Sequence, residues 1–393
     1  MKKDELIYYL GFSYCLGIGP MTFKLIKSHP KGVREIYEAS EKELLPIFGI
    51  KLTEKFIEFR QRFDPKKELE RLKKEGVNVL AVDGEDYPED LKNISDSPIC
   101  LYVKGNTDLF KARERNFLSP WEPSPKGISQ VAKNSIPSLS KVDKTFFAIV
   151  GTRKPTSYGI QVARKFAYEL AEAGFIIVSG MAMGIDTIAH QAALDAGGKT
   201  IAVLGCGVNV IYPAINYQLY HNIIKTGGAV ISEFPPNQTV LKGLFISRNR
   251  IISGLSRGVL IAEGGEHSGA LITARYAGIQ GKDVFAVPSP INSEMAPAPN
   301  LLIKQGAKLV TNVSDIYEEF NMKITPRKRE DIREKLMETE KLIFDILQKN
   351  PQTIDDLAIG LGKTVSEILN TISVMEIGGV VEKNLEKKYQ IRI

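Results

Sequence analysis

The stretch that decides the fold is Phe146-Phe147-Ala148-Ile149-Val150-Gly151-Thr152-Arg153. Five apolar residues in a row predict a strand buried on both faces, and the glycine predicts a turn into a helix at about 158–173. Strands and helices alternating at this spacing predict an α/β domain built on an extended Rossmann-like, doubly wound parallel sheet. Apolar, β-branched runs continue the series at 175–179, 200–204, 229–232, 259–262 and 284–287.

The rest of the 393-residue chain changes character, which predicts additional domains. Strand-like runs at 77–82 and 100–103 extend the sheet domain to residues 73–320. Prolines and serines around Trp121 interrupt it at 111–142 and predict a mobile insertion loop, in which the tryptophan either packs incidentally or anchors a partner. The flanking sequence predicts a helical domain at 1–72, a charged linker at 321–338 and a winged-helix-like domain at 339–393.

The helical domain contains the turn Leu16-Gly17-Ile18-Gly19-Pro20 and a weaker copy, Phe48-Gly49-Ile50-Lys51. Helices joined by such turns resemble a helix-hairpin-helix or SAM-like unit, in which backbone N–H groups at a helix N-terminus face DNA phosphate. A plain helical bundle with glycine C-caps explains the same pattern, because the second copy lacks its second glycine. The sequence leaves both interpretations open.

Composition narrows the possible functions. A net charge of +6 permits a polyanionic partner without requiring one. Cys15, Cys100 and Cys206 lack metal-ligand spacing, and the four histidines form no metal-binding motif, so we expect buried thiols and no metal site. Without a clean signal peptide or an apolar run of membrane-spanning length, we expect a cytoplasmic protein.

Ligands of parallel sheets bind at the carboxyl ends of the strands, where turns rich in glycine let the backbone approach an anion. No turn matches the G-x-G-x-x-G pattern at the first helix, and no acidic residue closes the second strand. We therefore expect a phosphate site and no dinucleotide or other cofactor, with Arg153 offering a planar fork to phosphate. The candidates from these turns are Gly151, Thr152, Arg153, Ser179, Gly180, Ser268 and Gly269.

A basic and aromatic cluster follows the strand at 229–232. Its cationic groups could follow a nucleic-acid backbone while the aromatic ring stacks on a base. Alternatively, the phenylalanine belongs to the core and the arginines cap a helix. The cluster consists of Lys242, Phe245, Arg248, Asn249 and Arg250.

The central domain resembles the bacterial DNA processing protein A family, also called Smf. The resemblance runs in order over some 160 residues, and the helical and winged segments are also similar to those of family members. It is carried by Ala148–Arg153, Ser179–Asp186, Arg248–Ser256, Ser268-Gly269, Leu271–Ala277, Val284–Pro288, Asn300–Ile303 and Gly306-Ala307.

The resemblance implies a dimeric protein, with no established catalytic reaction, that binds and protects single-stranded DNA in natural transformation and helps load the RecA recombinase. The DNA pocket that it implies contains Arg153, the backbone of Ser179 and Gly180, Lys242, Phe245, and Arg248 with Asn249. The sequence departs from the family pattern at Ala270, in the loop 289–299 and in the insertion at 111–142.

The alternative is an enzyme that binds or hydrolyses nucleotides, because Glu263-Gly264-Gly265 with Glu266 faintly resembles the lysine-decarboxylase-like proteins. Asp186 and Glu266 would then form an acid/base pair. We favour Asp186 as the N-cap of its helix, and Glu263 as a residue that orients Arg248 or Arg250.

The third helix of the winged-helix-like domain would expose Ser366, Glu367, Asn370, Thr371 and Glu376, which include no lysine or arginine. A protein that binds the groove of duplex DNA needs basic groups for its phosphates. The sequence therefore predicts that this domain contacts proteins or has a regulatory role, with duplex binding secondary.

Overall fold

Nine strands of the described residues form one sheet, in the order β1-β2-β6-β5-β4-β3-β7-β8-β9. The computed structural model describes residues 3–111, 145–322, 333, 336–377, 380–384 and 387–391, so the predicted insertion loop and most of the predicted linker lie outside the described residues. The strands are β1 (Asn78–Ala81), β2 (Cys100–Gly105), β3 (Phe146–Val150), β4 (Ile176–Ser179), β5 (Thr200–Val203), β6 (Ala229–Ser232), β7 (Gly258–Ile261), β8 (Asp283–Ala286) and β9 (Lys308–Leu309).

Strands β3 to β9 are parallel, and β2 joins their edge antiparallel to β6, with Tyr102 opposite Ser232. The chain leaves β3 toward β4 on one side and later returns to pair β7 with its other side. This arrangement puts the topological switch point between the carboxyl ends of β3 and β7, where open α/β sheets bind ligands. The predicted α/β class with a large parallel sheet is confirmed.

Helices cover both faces of the sheet, because its central strands are apolar on each side. The described helices of the first compact unit, residues 1–324, are α1 (Leu6–Tyr14), α2 (Pro20–Ser28), α3 (Gly32–Glu38), α4 (Glu41–Arg62), α5 (Pro65–Lys74), α6 (Glu89–Lys92), α7 (Ser157–Glu172), α8 (Ile185–Asp195), α9 (Tyr217–Lys225), α10 (Lys242–Leu255), α11 (Gly269–Ile279), α12 (Pro297–Lys304) and α13 (Ser314–Glu319).

The helical segment α1–α5 shares a core with the edge of the sheet. The Tyr9 hydroxyl donates to Asp83 at 2.8 Å, and the hydroxyls of Ser13 and Tyr102 lie 2.6 Å apart. A boundary between residues 72 and 73 therefore does not divide this unit, because α1 packs on β1 and β2 as part of one apolar cluster. The weaker copy of the predicted turn is a break within α4, where Gly49 takes a φ of +70° that favours glycine.

The second compact unit, residues 325–393, contains three described helices and one two-stranded antiparallel sheet. They are α14 (Glu338–Leu347), α15 (Ile354–Leu361), α16 (Val365–Ile377), β10 (Val381–Lys383) and β11 (Tyr389–Ile391). Ser366, Glu367, Asn370 and Glu376 are exposed on α16, whereas Thr371 is half-buried. Residues 365–377 of α16 contain no lysine or arginine.

The three cysteines are buried and unpaired, as their spacing predicted. Among the described residues, no group of three or more His, Cys, Asp or Glu side chains could hold a metal ion. None of the described helices combines the length and apolar character needed to cross a bilayer.

Candidate nucleic-acid interface

The turn after β3 closes the switch point with backbone hydrogen bonds. The Thr152 N–H donates to the Glu263 carbonyl at 2.8 Å, which ties the ends of β3 and β7 together. The Thr152 carbonyl accepts from the Ile185 N–H at 3.1 Å, which ties the same turn to the start of α8. Gly151 and Thr152 are half-buried by these contacts, while Arg153 is exposed beside them.

The Glu263 carboxylate fills the anion position at the start of α7. It is 1% exposed and accepts from the Thr156 N–H at 2.9 Å and from the Thr156 hydroxyl at 2.5 Å. A Cβ at Gly159 would overlap this carboxylate, so the helix can approach it only because that residue is glycine. The N–H groups of a helix N-terminus attract an anion, and here the protein supplies that anion itself. The expectation that Glu263 orients Arg248 or Arg250 is wrong, because Thr156 is its partner.

A second internal carboxylate occupies the turn after β4. Asp186 accepts from the N–H groups of Gly180 at 3.1 Å and Ala182 at 3.4 Å. The N-cap of α8 is Gly184, so the expected N-cap role of Asp186 is wrong: its carboxylate bonds the preceding loop instead. The Ser179 hydroxyl donates to the Ile149 carbonyl at 2.7 Å, and both Ser179 and Gly180 are buried.

Arg248 is the cation beneath this loop, and it is 4% exposed. Its Nη1 donates to the Gly180 carbonyl at 2.7 Å and to the Val203 carbonyl, and its Nε donates to Asn249 at 3.2 Å. Burial lowers the pKa of Arg248 to about 10, against the opposing effect of Asp186. Burial raises the pKa of Asp186, and the nearby Arg248 guanidinium acts in the opposite direction.

Arg250 and Asn249 serve other contacts. Arg250 is 4% exposed and forms ion pairs with Glu233 and, at 3.2 Å, with Asp96. The Asn249 side chain donates to the Gly269 carbonyl at 3.4 Å. The Ser268 hydroxyl accepts from the Ala270 N–H at 3.3 Å and thereby caps α11. Arg250 and Asn249, which the sequence grouped with Lys242 and Phe245, are thus engaged in bonds within the protein.

We call the buried set Gly180, Asp186, Arg248 and Glu263 the inner crevice. Asp186 and Arg248 both bond the backbone of Gly180, and Glu263 bonds Thr156, so these polar groups are hydrogen-bonded within the protein. Asp186 is committed to backbone amides, whereas Glu266 is exposed in the loop after β7. The divergent loop 289–299 is tied to the turn after β7, because Gly264 donates to the Met295 carbonyl at 2.8 Å and accepts from the Ala298 N–H at 2.9 Å.

The exposed part of the carboxyl edge is aromatic and basic. The Arg153 guanidinium lies 5.9 Å from the centre of the half-buried Phe245 ring, within the range of a cation–π contact. The ring of Tyr212, from the loop after β5, lies 5.5 Å from that of Phe245 and is 44% exposed. Lys242 is exposed at the start of α10, one turn before Phe245 and on the same side of the helix.

We call these four residues, Arg153, Tyr212, Lys242 and Phe245, the outer rim. Gly205 supports it, since a Cβ there would lie 2.9 Å from the Phe245 ring and 3.1 Å from its backbone. Tyr212 was not among the residues predicted from the sequence. The signal that could have found it is an aromatic residue in the turn after a parallel strand, the same place that yielded Arg153.

Fold and rim together define an α/β protein whose sheet presents a basic, aromatic carboxyl edge and no dinucleotide fingerprint. The sequence profile of the DNA recombination-mediator protein A family matches residues 135–321. Protein Smf of Synechocystis sp. is 30% identical over 427 aligned residues, which cover 100% of both chains. DNA processing protein DprA of Bacillus subtilis is 39% identical over 262 residues, covering 66% of this chain and 77% of its own. The chain belongs to the DNA recombination-mediator protein A family.

A solved structure agrees with this assignment. The X-ray structure of DNA processing protein A from Streptococcus pneumoniae superposes with a TM-score of 0.63 and 34% identity. The superposition covers 81% of this chain and 99% of that chain. The mixed α/β architecture is therefore shared with a protein of the same family.

Proposed function

We propose that this protein binds single-stranded DNA on the outer rim. The observation that carries the proposal is that exposed Arg153 and exposed Tyr212 both contact the half-buried Phe245 ring, whose centre lies 5.9 Å from the Arg153 guanidinium and 5.5 Å from the Tyr212 ring. Cationic groups neutralise phosphates, and exposed aromatic faces stack on bases that are not already paired. Single-stranded DNA offers both groups at once, whereas a duplex hides its base faces.

The inner crevice supports the same choice by disfavouring a nucleotide. A nucleotide phosphate at the switch point would compete with the Glu263 carboxylate for the N–H group of Thr156. The phosphate would also find the Gly180 N–H unavailable, because that group already donates to Asp186. No observation favours the hydrolase alternative. Asp186 is buried and accepts from backbone N–H groups, whereas an acid or base in hydrolysis must reach the substrate or its attacking water.

The family resemblance also implies properties of the whole protein, which we propose for this chain. They are a dimeric state, a cytoplasmic location, assistance in RecA loading and a role in natural transformation. We also include a helix-hairpin-helix-like character for residues 1–72 and a winged-helix-like character for residues 339–393. Within the DNA pocket, Arg153, Lys242 and Phe245 contact the strand directly, and Arg248 holds the Gly180 loop beneath it.

The experiment compares Arg153→Ala, Lys242→Ala and Phe245→Ala with the parent for binding to a labelled oligonucleotide of about 12 thymidines, a length within the range of single-strand sites. Each loss of a phosphate contact should weaken binding and reduce the salt slope by about 0.7. Phe245→Ala should weaken binding without changing that slope, because stacking releases no counterions. Lys304→Ala is the matched control, since Lys304 is exposed at the carboxyl end of α12, just before β9. Parent-like affinity in both charge variants would show that the rim is not the binding site.

A further inference from the structure

Helix α9 presents an aromatic and basic face beside the outer rim. Tyr217 begins the helix and is 58% exposed. Its ring lies 4.5 Å from that of His221, one turn further along, at an interplanar angle of 57°. Lys225 is exposed one more turn along the same face, because residues four apart in a helix are neighbours. We call Tyr217, His221 and Lys225 the α9 platform.

A buried asparagine fixes this helix to the carboxyl edge of the sheet. Asn216, directly before Tyr217, donates to the Met181 carbonyl at 2.8 Å and to the Thr187 hydroxyl at 2.9 Å. These partners belong to the loop after β4 and to the first turns of α8. The start of α9 is thus anchored next to the inner crevice, and Tyr217 projects from a defined position.

The α9 platform continues the outer rim along the chain. Tyr212 contacts the Phe245 ring at 5.5 Å and precedes Tyr217 by five residues. Five residues of fully extended chain reach at most about 18 Å, so the two tyrosines lie within a few nucleotides of one another. Between them Ile215 is 79% exposed, which leaves the connecting surface uncovered.

The charge of α9 suits a polyanion. Residues 217–225 contain no aspartate or glutamate, whereas α7 contains Glu169 and Glu172. An approaching phosphate backbone would therefore meet Lys225 without a carboxylate on the same helix. The combination of a stackable ring followed by a cation repeats the chemistry of Phe245 and Arg153.

We propose that the α9 platform is a second stacking site for the same DNA strand, which leaves the outer rim past Tyr212 and crosses α9. The inference rests on the proposed function of the rim and extends it to a longer footprint. A base stacks on Tyr217, whose ring His221 supports from one side, and Lys225 holds a phosphate beyond it.

The test measures affinity for oligothymidines of about 4 and about 12 nucleotides, lengths at the short and long ends of single-strand sites. Tyr217→Ala should weaken the longer strand about tenfold and leave the shorter strand unchanged, because only the longer one reaches α9. Tyr217→Phe keeps the ring and should bind both strands like the parent. Lys225→Ala should lower the salt slope for the longer strand alone by about 0.7.

Gln218→Ala is the control on α9, because Gln218 is exposed but one residue away from this face. Equal affinity of Tyr217→Ala and the parent for the longer strand would overturn the second site, and the rim would stand if Arg153→Ala still weakened both lengths. A Tyr217→Ala variant with an altered oligomeric state and an unchanged length dependence would assign this face to a protein contact instead. If the parent bound neither strand, the proposed function itself would fail.

Discussion

The inner crevice and the outer rim occupy the same edge of one sheet, yet they use their charges in opposite ways. In the crevice, Glu263 and Asp186 accept from backbone N–H groups and Arg248 donates to carbonyls. On the rim, Arg153 lies over an aromatic ring and Lys242 is exposed. The polar groups of the inner crevice are hydrogen-bonded within the protein, whereas the cationic groups of the outer rim are exposed.

Desolvation explains the difference. A charge that leaves water must find partners inside the protein, so Arg248 and Asp186 are held by hydrogen bonds and by each other's charge. A charge that stays in water keeps its freedom to pair with a phosphate. A basic residue near a binding edge is therefore evidence for a ligand only when its side chain is exposed.

Removal of the crevice cation should have the largest effect. Arg248→Ala leaves Asp186 buried without its nearby cation, which should lower the free energy of unfolding by about 3–5 kcal/mol. Arg153→Ala, which removes an exposed arginine from the rim, should change it little. Urea unfolding of both variants measures the contrast. If Arg248→Ala unfolded like the parent and lost DNA binding, Arg248 would act as a DNA-contacting residue of the outer rim. The division between inner crevice and outer rim would then be wrong.

Acid should destabilise the first compact unit through a buried histidine of α8. His190, one turn after Asp186 on α8, is fully buried; its Nδ1 lies 2.6 Å from the Thr200 hydroxyl, and that hydroxyl donates to the Ile177 carbonyl. Nδ1 therefore carries the proton, and Nε2 has no hydrogen-bond partner among the described residues. Burial lowers the pKa of His190 to about 3, with the Arg248 charge acting in the same direction.

The sign follows from proton uptake by the unfolded chain. Below about pH 6.5, the pKa of an unfolded histidine, His190 binds a proton in the unfolded chain but not in the folded protein. This residue's contribution to the free energy of unfolding is therefore complete above that pH and is lost progressively toward about pH 3. Between about pH 7 and pH 5 the loss is about 2 kcal/mol. His190→Gln should flatten this part of the pH–stability curve, and His267→Gln, at an exposed loop position, should not. A parent-like slope in His190→Gln would refute the assignment.

The smallest expected effect concerns the support of the rim. Gly205→Ala puts a Cβ 2.9 Å from the Phe245 ring, so the ring and the start of α10 must shift. Such overpacking costs about 1–3 kcal/mol, and we expect an affinity loss for single-stranded DNA of about three- to tenfold. Gly243→Ala is the matched control, because a Cβ there meets no atom within 4 Å. Equal affinities of the two variants would show that the position of Phe245 does not matter for binding.

The alternation of strands and helices was predictable because each parallel strand is a short apolar run with its own flanking turn. The runs at 146–150 and 229–232 coincide with β3 and β6, and the others agree within a residue or so. The nine-stranded order was not predicted, since pairing partners such as β2 and β6 are far apart in sequence. The short β9 was missed because two exposed residues carry no apolar pattern.

The site was predictable in part, for a reason of helical geometry. Lys242, Phe245, Arg248 and Arg250 form one cluster in sequence, but they lie on α10, where successive residues turn by about 100°. Rotation leaves Lys242 exposed and Phe245 half-buried, and it turns Arg248 and Arg250 inward toward different carbonyls and carboxylates. Tyr212 enters the rim from another strand end, which no local pattern connects to Phe245.

The sequence by itself determined the α/β class and the family, because local apolar runs and turn glycines encode them, and it predicted the edge at which we propose that DNA binds. The tertiary structure decided which charged groups at that edge are available. Burial and pairing are properties of the packed chain: Glu263 meets Thr156 across 107 positions, and Arg248 meets Gly180 across 68. These long-range partners occupy the charged groups of the inner crevice with bonds inside the protein. Only Arg153 and Lys242 of the predicted basic residues at this edge stay exposed.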